Sequence, residues 1–139
     1  MLFRSYEEGA TVVASTYAKV GGVYDFGFRH DPSRPLESLA EYCLGCYTNL
    51  NFPQRIDMIC RYMEEYQADG LLINSIKSCN SFSAGQLLIL REVEKRTGKP
   101  AAFIESDLVD PRYFSAANIK NRLESYFQMI KQKRTAGAH

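Results

Sequence analysis

The fold of this chain is decided by one ten-residue stretch, Leu71-Leu72-Ile73-Asn74-Ser75-Ile76-Lys77-Ser78-Cys79-Asn80. Its first half is an apolar run typical of a buried strand, and its second half is a small polar loop that leads towards a helical pattern. Open α/β sheets place their chemistry where a strand ends and the chain turns into a helix. Because the thiol of Cys79 lies at that point, the stretch predicts both a strand and a candidate site.

Strand-like and helical patterns alternate around this stretch. Residues 11–15 and 101–104 are short apolar runs that predict two further strands. Between and after the strands, apolar residues recur at helical spacing, which predicts amphipathic helices. These residues are Leu36, Leu39, Ala40 and Cys43; then Ile56, Ile59, Cys60 and Met63; then Leu87, Leu90 and Val93; and finally Leu123, Tyr126, Phe127 and Ile130.

The ends of the helices have signals of their own. Pro35 favours a first turn, in a helix expected to end around Thr48. The Ser-x-x-Gln pattern from Ser83 to Gln86 predicts a capping box that opens the third helix. Ser115 is expected to cap the last helix.

Strands that alternate with helices indicate an α/β fold. We expect an open parallel sheet with helices on both faces, joined by right-handed crossovers in a flavodoxin-like or Rossmann-like three-layer arrangement. The domain is expected to span residues 1–134, and residues 135–139 are expected to form a disordered tail.

Loops that follow parallel strands meet at one edge of the sheet. The sequence therefore predicts that three loops lie together there. They are the aromatic loop with Tyr24, Phe26, Phe28, Arg29 and His30, the Cys79 loop, and the acidic loop with Glu105, Asp107 and Asp110. The aromatic loop either lines a site or is an anchored surface loop. Glu105 and Asp107 are either acid–base groups or solvated charges.

Composition narrows the class of protein. The chain has 139 residues, of which 45% are hydrophobic, and this predicts one compact domain. A formal net charge of +1 offers no basic surface for nucleic acid. The sequence has no apolar stretch of membrane-spanning length and no signal-peptide core, so we expect a cytoplasmic protein without a membrane partner.

The four cysteines are expected to be thiols rather than disulfides, because a cytosolic domain of this size does not need bridges. Cys60 lies on an apolar helix face and is predicted to pack in the core. Cys43-Leu44-Gly45-Cys46 has the spacing of a metal or dithiol site. Its position late in a helix favours packing instead, because a helix C-terminus raises the pKa of a thiol.

Three stretches together resemble a known family. They are residues 9–17, 69–79 and 105–112. They look like the carboxyl-terminal domain of the 2-hydroxyacyl-CoA dehydratase component D family, which includes 2-hydroxyglutaryl-CoA dehydratase and benzoyl-CoA reductase subunits. The resemblance covers about Gly9 to Met129, and the loop that ends in Ser78-Cys79 is its most specific part.

The resemblance implies a [4Fe–4S] cluster held by three cysteines, with Cys79 as the one metal ligand that this domain contributes. Ser78 and Asn80 would bind the cofactor through the same loop, and Ser75 and Gln86 would be catalytic residues, with Gln86 positioning the substrate. Ser78 and Gln86 also have a simpler reading as turn and cap residues. Cys43 or Cys46 could replace a missing ligand, and the sequence leaves this open.

The same resemblance implies a reaction and partners. The reaction is a radical elimination of water from a 2-hydroxyacyl-CoA to an enoyl-CoA. The partners are an amino-terminal domain that this chain lacks, a homologous second subunit and an ATP-dependent iron–sulfur activator. The isolated chain is expected to be inactive. Two alternatives stay open, a benzoyl-CoA-reductase-type subunit and a non-catalytic flavodoxin-like binding or scaffold module.

Overall fold

A computed structural model describes residues 9–16, 30–107 and 109–136 of the chain. In chain order the helices and strands are α1 (Pro35–Leu44), α2 (Phe52–Glu65), β1 (Leu71–Ile76), α3 (Asn80–Ser83), α4 (Gln86–Thr97), β2 (Ala101–Ser106) and α5 (Ala116–Ala136). Short 3₁₀ turns lie at Tyr47–Asn49 and Pro111–Tyr113. None of the helices in these ranges is long and apolar enough to cross a membrane.

The two strands form a parallel pair in which Leu71 lies opposite Ala101 and Ile76 opposite Ser106. Two of the three predicted strands are confirmed, with β1 extending to Ile76 and β2 extending two residues past its predicted end at Ile104. Parallel neighbours need a crossover connection, and α3 and α4 provide it. The chain therefore leaves both strands at the same edge, which brings the loop after β1 beside the loop after β2.

A large apolar cluster joins α2 and α4 to β1. Its partly buried members in the strand are Leu71 and Ile73. Its buried members are Tyr47, Ile56, Met58, Ile59, Tyr62, Met63, Ile89 and Val93. The predicted packing of Cys60 against this cluster is confirmed.

A second cluster consists of Leu123, Tyr126 and Phe127 of α5 and packs against Ala102. Side chains alternate between the two faces of a strand. Ala102 therefore points to the face opposite the one that Leu71 and Ala101 share, which is the face of the first cluster. α5 therefore covers the opposite face of the pair. The α/β class is confirmed, with a parallel pair as its sheet in the described part.

The strand predicted over residues 11–15 is wrong for the described structure, because this segment belongs to no sheet. Val12 and Val13 are about half exposed. A strand forms only when its backbone groups find a ladder partner, and the apolar pattern does not supply one. Ala10 nevertheless contacts the α5 cluster, so the segment lies near the sheet.

The capping box predicted from Ser83 to Gln86 is also wrong. Ser83 ends α3, where its hydroxyl donates to the carbonyl of Cys79 at 2.9 Å. α4 begins one residue after Gly85, which has a φ of +71° and lies against the ring of Phe52. A real capping box opens α2, where Asn51 and Gln54 bond each other's backbone.

The helix faces differ in part from the sequence pattern. In α4 the buried residues are Gln86, Ile89 and Val93, and Leu87 is exposed, contrary to prediction. α1 is confirmed, but it ends at Leu44, and its apolar residues Leu36 and Leu39 are exposed in the described structure.

The last helix agrees with the sequence pattern. The hydroxyl of Ser115 accepts a hydrogen bond from the backbone nitrogen of Asn118 at 3.4 Å, which confirms the predicted cap. The stripe from Leu123 to Ile130 faces the interior, although Ile130 is only partly buried. α5 continues to Ala136, so the expected boundary at residue 134 falls within this helix.

Candidate functional site

The Cys79 loop is a tightly bonded turn at the end of β1. The backbone nitrogen of Cys79 donates to the carbonyl of Ile76 at 3.0 Å. The carbonyl of Cys79 accepts from the nitrogens of Phe82 and Ser83 and from the hydroxyl of Ser83. The Cys79 side chain is partly buried and belongs to neither apolar cluster. The backbone of the loop is therefore satisfied without using the thiol.

The carboxylate of Asp107 joins this turn to the loop after β2. Its Oδ2 accepts from the backbone nitrogen of Ser78 at 2.7 Å, and its Oδ1 accepts from the Ser78 hydroxyl at 3.0 Å. Oδ1 also accepts from the nitrogens of Val109 and Asp110. These hydrogen bonds, led by the one from Val109, lower the pKa of Asp107 to about 2.

A second contact crosses the same edge. Lys77 and Glu105 form an ion pair, and the backbone nitrogen of Lys77 donates to the carbonyl of Ser106 at 3.0 Å. Asp110 pairs with Arg112, whose hydrogen bonds lower the pKa of the Asp110 carboxyl. The predicted meeting of the Cys79 loop and the acidic loop is thus observed. Of the aromatic loop, Tyr24, Phe26, Phe28 and Arg29 lie outside the described residues.

Arg55 is hydrogen-bonded to the segment that follows Cys79. Its side chain is 8% exposed and donates to the carbonyls of Thr48, Leu50 and Ser81. Its guanidinium also lies 5.2 Å from the centre of the Tyr47 ring. Because Ser81 belongs to α3, Arg55 ties α2 to the one-turn helix that follows Cys79.

The helical pattern of α2 alone gives no reason to select Arg55. An arginine in the first turns of an amphipathic helix usually lies in solvent. Its neighbours Tyr47 and Phe52 were the available signal, because aromatic rings beside an arginine favour stacking. Asp107 was among the candidates, but its contact with Ser78 joins residues 29 positions apart, which the sequence does not reveal.

The other predicted site residues surround the turn. Ser75 is buried near the end of β1, opposite Glu105 in the register. Asn80 is exposed at the start of α3. Gln86 is 7% exposed at the start of α4, and its Oε1 is buried without a hydrogen-bond partner in the described structure. A buried amide oxygen without a partner is costly, so this oxygen is a candidate ligand contact.

The remaining three cysteines are free thiols. Cys43 is exposed near the end of α1, and Cys46 is partly buried, with its Sγ 3.7 Å from the carbonyl of Tyr42. Burial raises the pKa of Cys60. Within residues 9–16, 30–107 and 109–136, no three His, Cys, Asp or Glu side chains are grouped to hold a metal ion.

The donor set therefore fits one position of a metal cluster and no more. Iron–sulfur clusters are held by several thiolates, and the described part of this sheet edge offers the single thiol of Cys79. The hydrogen bonds of the loop backbone do not involve that thiol. The fold and site define an α/β domain that carries one available cysteine at the carboxyl edge of a parallel strand pair.

Comparison with known proteins places this domain. A family model described as "2-hydroxyglutaryl-CoA dehydratase, D-component" matches residues 1–130. The chain belongs to this family, which confirms the resemblance noted from the sequence.

Individual relatives differ in their similarity. The chain is 76% identical over 133 residues to a subunit of benzoyl-CoA reductase from Thauera aromatica, a match that covers 96% of this chain and 31% of the relative. It is 26% identical over 101 residues to the alpha subunit of lactoyl-CoA dehydratase from Anaerotignum propionicum, covering 73% of this chain and 24% of that protein.

A third relative is about as similar in sequence as the second. The chain is 25% identical over 130 residues to the (R)-phenyllactyl-CoA dehydratase alpha subunit of Clostridium sporogenes, covering 94% of this chain and 30% of that protein. The chain thus spans less than a third of the length of each of these relatives.

Proposed function

We propose that this chain is part of a benzoyl-CoA-reductase-type subunit that acts on an aromatic acyl-CoA thioester. The observation that carries the proposal is the 76% identity to the benzoyl-CoA reductase subunit, compared with 26% and 25% to two dehydratase subunits. Because the match covers 96% of this chain, it includes most of the residues that build the sheet edge.

The second candidate is the radical elimination of water from a 2-hydroxyacyl-CoA to an enoyl-CoA. The family description and several relatives named as dehydratase subunits favour it. The two candidates share the CoA thioester and differ in the acyl group and in the reaction, which is reduction of an aromatic ring in the first and elimination of water in the second. The fold and the Cys79 loop are compatible with both, so the choice depends on the difference in identity.

In either case Cys79 would bind one iron of a [4Fe–4S] cluster, and the remaining ligands would come from outside the described residues. When bound, such a cluster supplies single electrons. The share of this chain is to hold the thiol at the sheet edge. The hydrogen bonds within the loop support this role, because they involve backbone groups and the Ser83 hydroxyl. The sulfur could therefore bind iron without breaking any of these bonds.

The neighbouring residues have separate roles in the proposal. Ser78 fixes the turn through Asp107, and Asn80, the exposed residue that follows Cys79, would contribute to cofactor binding. Ser75 supports the end of β1 from a buried position. Gln86 offers a free amide oxygen at the start of α4, which suits a contact with a polar group of the thioester.

The proposal also includes the partners and the setting of the domain. They are an amino-terminal domain, a homologous second subunit, an ATP-dependent iron–sulfur activator and a cytoplasmic location. β1 and β2 would then be two strands of a larger open sheet of flavodoxin-like or Rossmann-like type. The names of the relatives as subunits of reductases and dehydratases support the second subunit.

Substrate class is tested with a chimera. The 133 matching residues of the Thauera aromatica subunit are replaced by those of this chain, and the protein is produced with the other subunits of that enzyme. Benzoyl-CoA and a 2-hydroxyacyl-CoA are then assayed under anaerobic conditions with the activator, ATP and an electron donor. Reduction of benzoyl-CoA alone supports the proposal, and dehydration alone supports the second candidate.

The role of Cys79 is tested on the same chimera by measuring iron and acid-labile sulfide. Cys79→Ser is expected to lower the iron content, and the matched variant Cys60→Ser, which alters a thiol packed on an apolar cluster, is expected to leave it unchanged. Equal iron in all three proteins would contradict the proposed ligand. Absence of both activities and of iron in a folded chimera would favour a scaffold module.

A further inference from the structure

We infer that Asp107 is a positioning residue for Cys79, because its carboxylate fixes both the backbone and the side chain of Ser78 and so sets the direction of the thiol. This inference rests on the proposed function for its purpose, since a ligand must face its metal. The fixing of the loop itself can be measured without any cluster.

The geometry of Asp107 is unusual for a solvated loop carboxylate. It accepts four hydrogen bonds, two from Ser78 and one each from the nitrogens of Val109 and Asp110, at 2.7–3.1 Å. The last two organise the loop that follows β2, and the first two reach into the loop that follows β1. One side chain therefore sets the form of both loops and the distance between them.

Ser78 passes this constraint directly to Cys79. The two residues are neighbours, and the nitrogen of Cys79 closes the turn by bonding Ile76 at 3.0 Å. The turn is thus held at its start by β1, at its middle by Asp107 and at its end by the carbonyl of Cys79, which accepts from Ser83. Loss of the hydrogen bonds between Asp107 and Ser78 would leave residues 78 and 79 free to change their orientation.

Among the residues that the structure describes, no other carboxylate at this edge is placed to take over this function. Glu105 is paired with Lys77, and Asp110 is paired with Arg112. The low pKa of Asp107, about 2, keeps its carboxylate ionised and able to accept at neutral pH. A group that stays ionised is a poor proton donor near pH 7, so positioning suits Asp107 better than acid catalysis.

The test follows alkylation of Cys79 by iodoacetamide in the full chain, resolved by mass spectrometry of the peptides. Asp107→Asn replaces one acceptor oxygen with a donor, so the bond pattern cannot be kept. We expect Cys79 to react about tenfold faster in this variant, because opening of the loop exposes the thiol. Cys43 in the same molecule is the internal reference, and Asp110→Asn is the matched carboxylate control.

Ser78 provides an independent arm if Asp107→Asn does not fold. Ser78→Ala removes one of the four hydrogen bonds and keeps the backbone donor, so its effect should be smaller than that of Asp107→Asn. Ser78→Thr restores a hydroxyl and is expected to return the rate towards that of the wild type. If neither Asp107→Asn nor Ser78→Ala changes the rate of Cys79 in a folded chain, the inference is overturned.

A second readout uses the chimera loaded with iron. Asp107→Asn is expected to change the electron paramagnetic resonance spectrum of the reduced protein with the iron content kept, which simple unfolding would not produce. An unchanged spectrum would contradict the positioning role. If the wild-type chimera holds no iron, the proposed function fails, and the alkylation rates still decide whether Asp107 fixes the loop.

Discussion

Asp107 and Ser78 make two hydrogen bonds with each other, from the Ser78 nitrogen at 2.7 Å and from its hydroxyl at 3.0 Å, across 29 positions of sequence. This pair connects the ends of β1 and β2 at the edge where the candidate ligand lies. The two strands are already aligned by their ladder, so the pair adds order to the loops rather than to the sheet.

The first prediction concerns acid. The pKa of Asp107 in the folded chain is about 2, below the value of about 3.9 expected when unfolded. The carboxylate therefore stabilises the fold above about pH 4, and this contribution is lost as the pH falls towards 2. Nuclear magnetic resonance titration of the Asp107 carboxyl carbon should give a midpoint near 2, and a midpoint near 4 would contradict the four-bond geometry.

The second prediction concerns Arg55. In Arg55→Met the carbonyls of Thr48 and Leu50 lose a buried donor, so the free energy of unfolding should fall by about 2–3 kcal/mol. Arg112→Met removes a guanidinium whose side chain is 85% exposed and should change stability by less than about 0.5 kcal/mol. Urea unfolding of both variants measures these changes. Equal decreases in the free energy of unfolding would show that the hydrogen bonds of Arg55 do not stabilise the fold.

The third prediction concerns Gly70, which precedes β1. A Cβ at this position would overlap the hydroxyl of Tyr126 and lie 2.7 Å from the carbonyl of Pro100. Gly70→Ala should therefore destabilise the chain by about 2–3 kcal/mol through overpacking.

Gly98 provides the control for this prediction. It has a positive φ, but a Cβ there would meet no atom within 4 Å. Gly98→Ala should cost only about 1 kcal/mol of backbone strain. A larger loss at Gly98 than at Gly70 in the same urea experiment would show that backbone conformation, not space, limits these positions.

The fourth prediction concerns the face of α4 that packs in the core. Ile89 is 1% exposed, so Ile89→Ala should lower the free energy of unfolding by about 2–5 kcal/mol. Leu87 is 55% exposed, and Leu87→Ala should change it by less than about 0.5 kcal/mol. Urea unfolding measures both changes. A larger decrease for Leu87→Ala than for Ile89→Ala would show that the buried face of α4 is the one that the sequence pattern predicted.

Local patterns predicted β1, β2 and most helices, because apolar runs and helical spacing depend on neighbours in the chain. The meeting of the two loops also followed from the parallel order of the strands. Leu87 illustrates the limit of such patterns: α4 begins at Gln86, two residues later than a cap at Ser83 would place it, and its buried residues are Gln86, Ile89 and Val93.

Features that depend on distant partners were less accessible. The segment of residues 11–15 has the composition of a strand, but no local signal shows whether a ladder partner exists. Arg55 is buried and hydrogen-bonded to carbonyls at positions 48, 50 and 81, which its own helix does not reveal. The position of Cys79 between a strand and a helix indicated a candidate site, and the family resemblance implied its role as a ligand, whereas its support by Asp107 required the folded chain.

The carbonyl of Cys79 accepts hydrogen bonds from Phe82 and twice from Ser83, and no described backbone bond of the turn involves sulfur. The shape of the turn is therefore independent of the chemistry at its apex. A single oxygen-for-sulfur exchange could silence the site and leave the domain intact, so a relative with serine at this position would be recognisable as a folded but inert descendant.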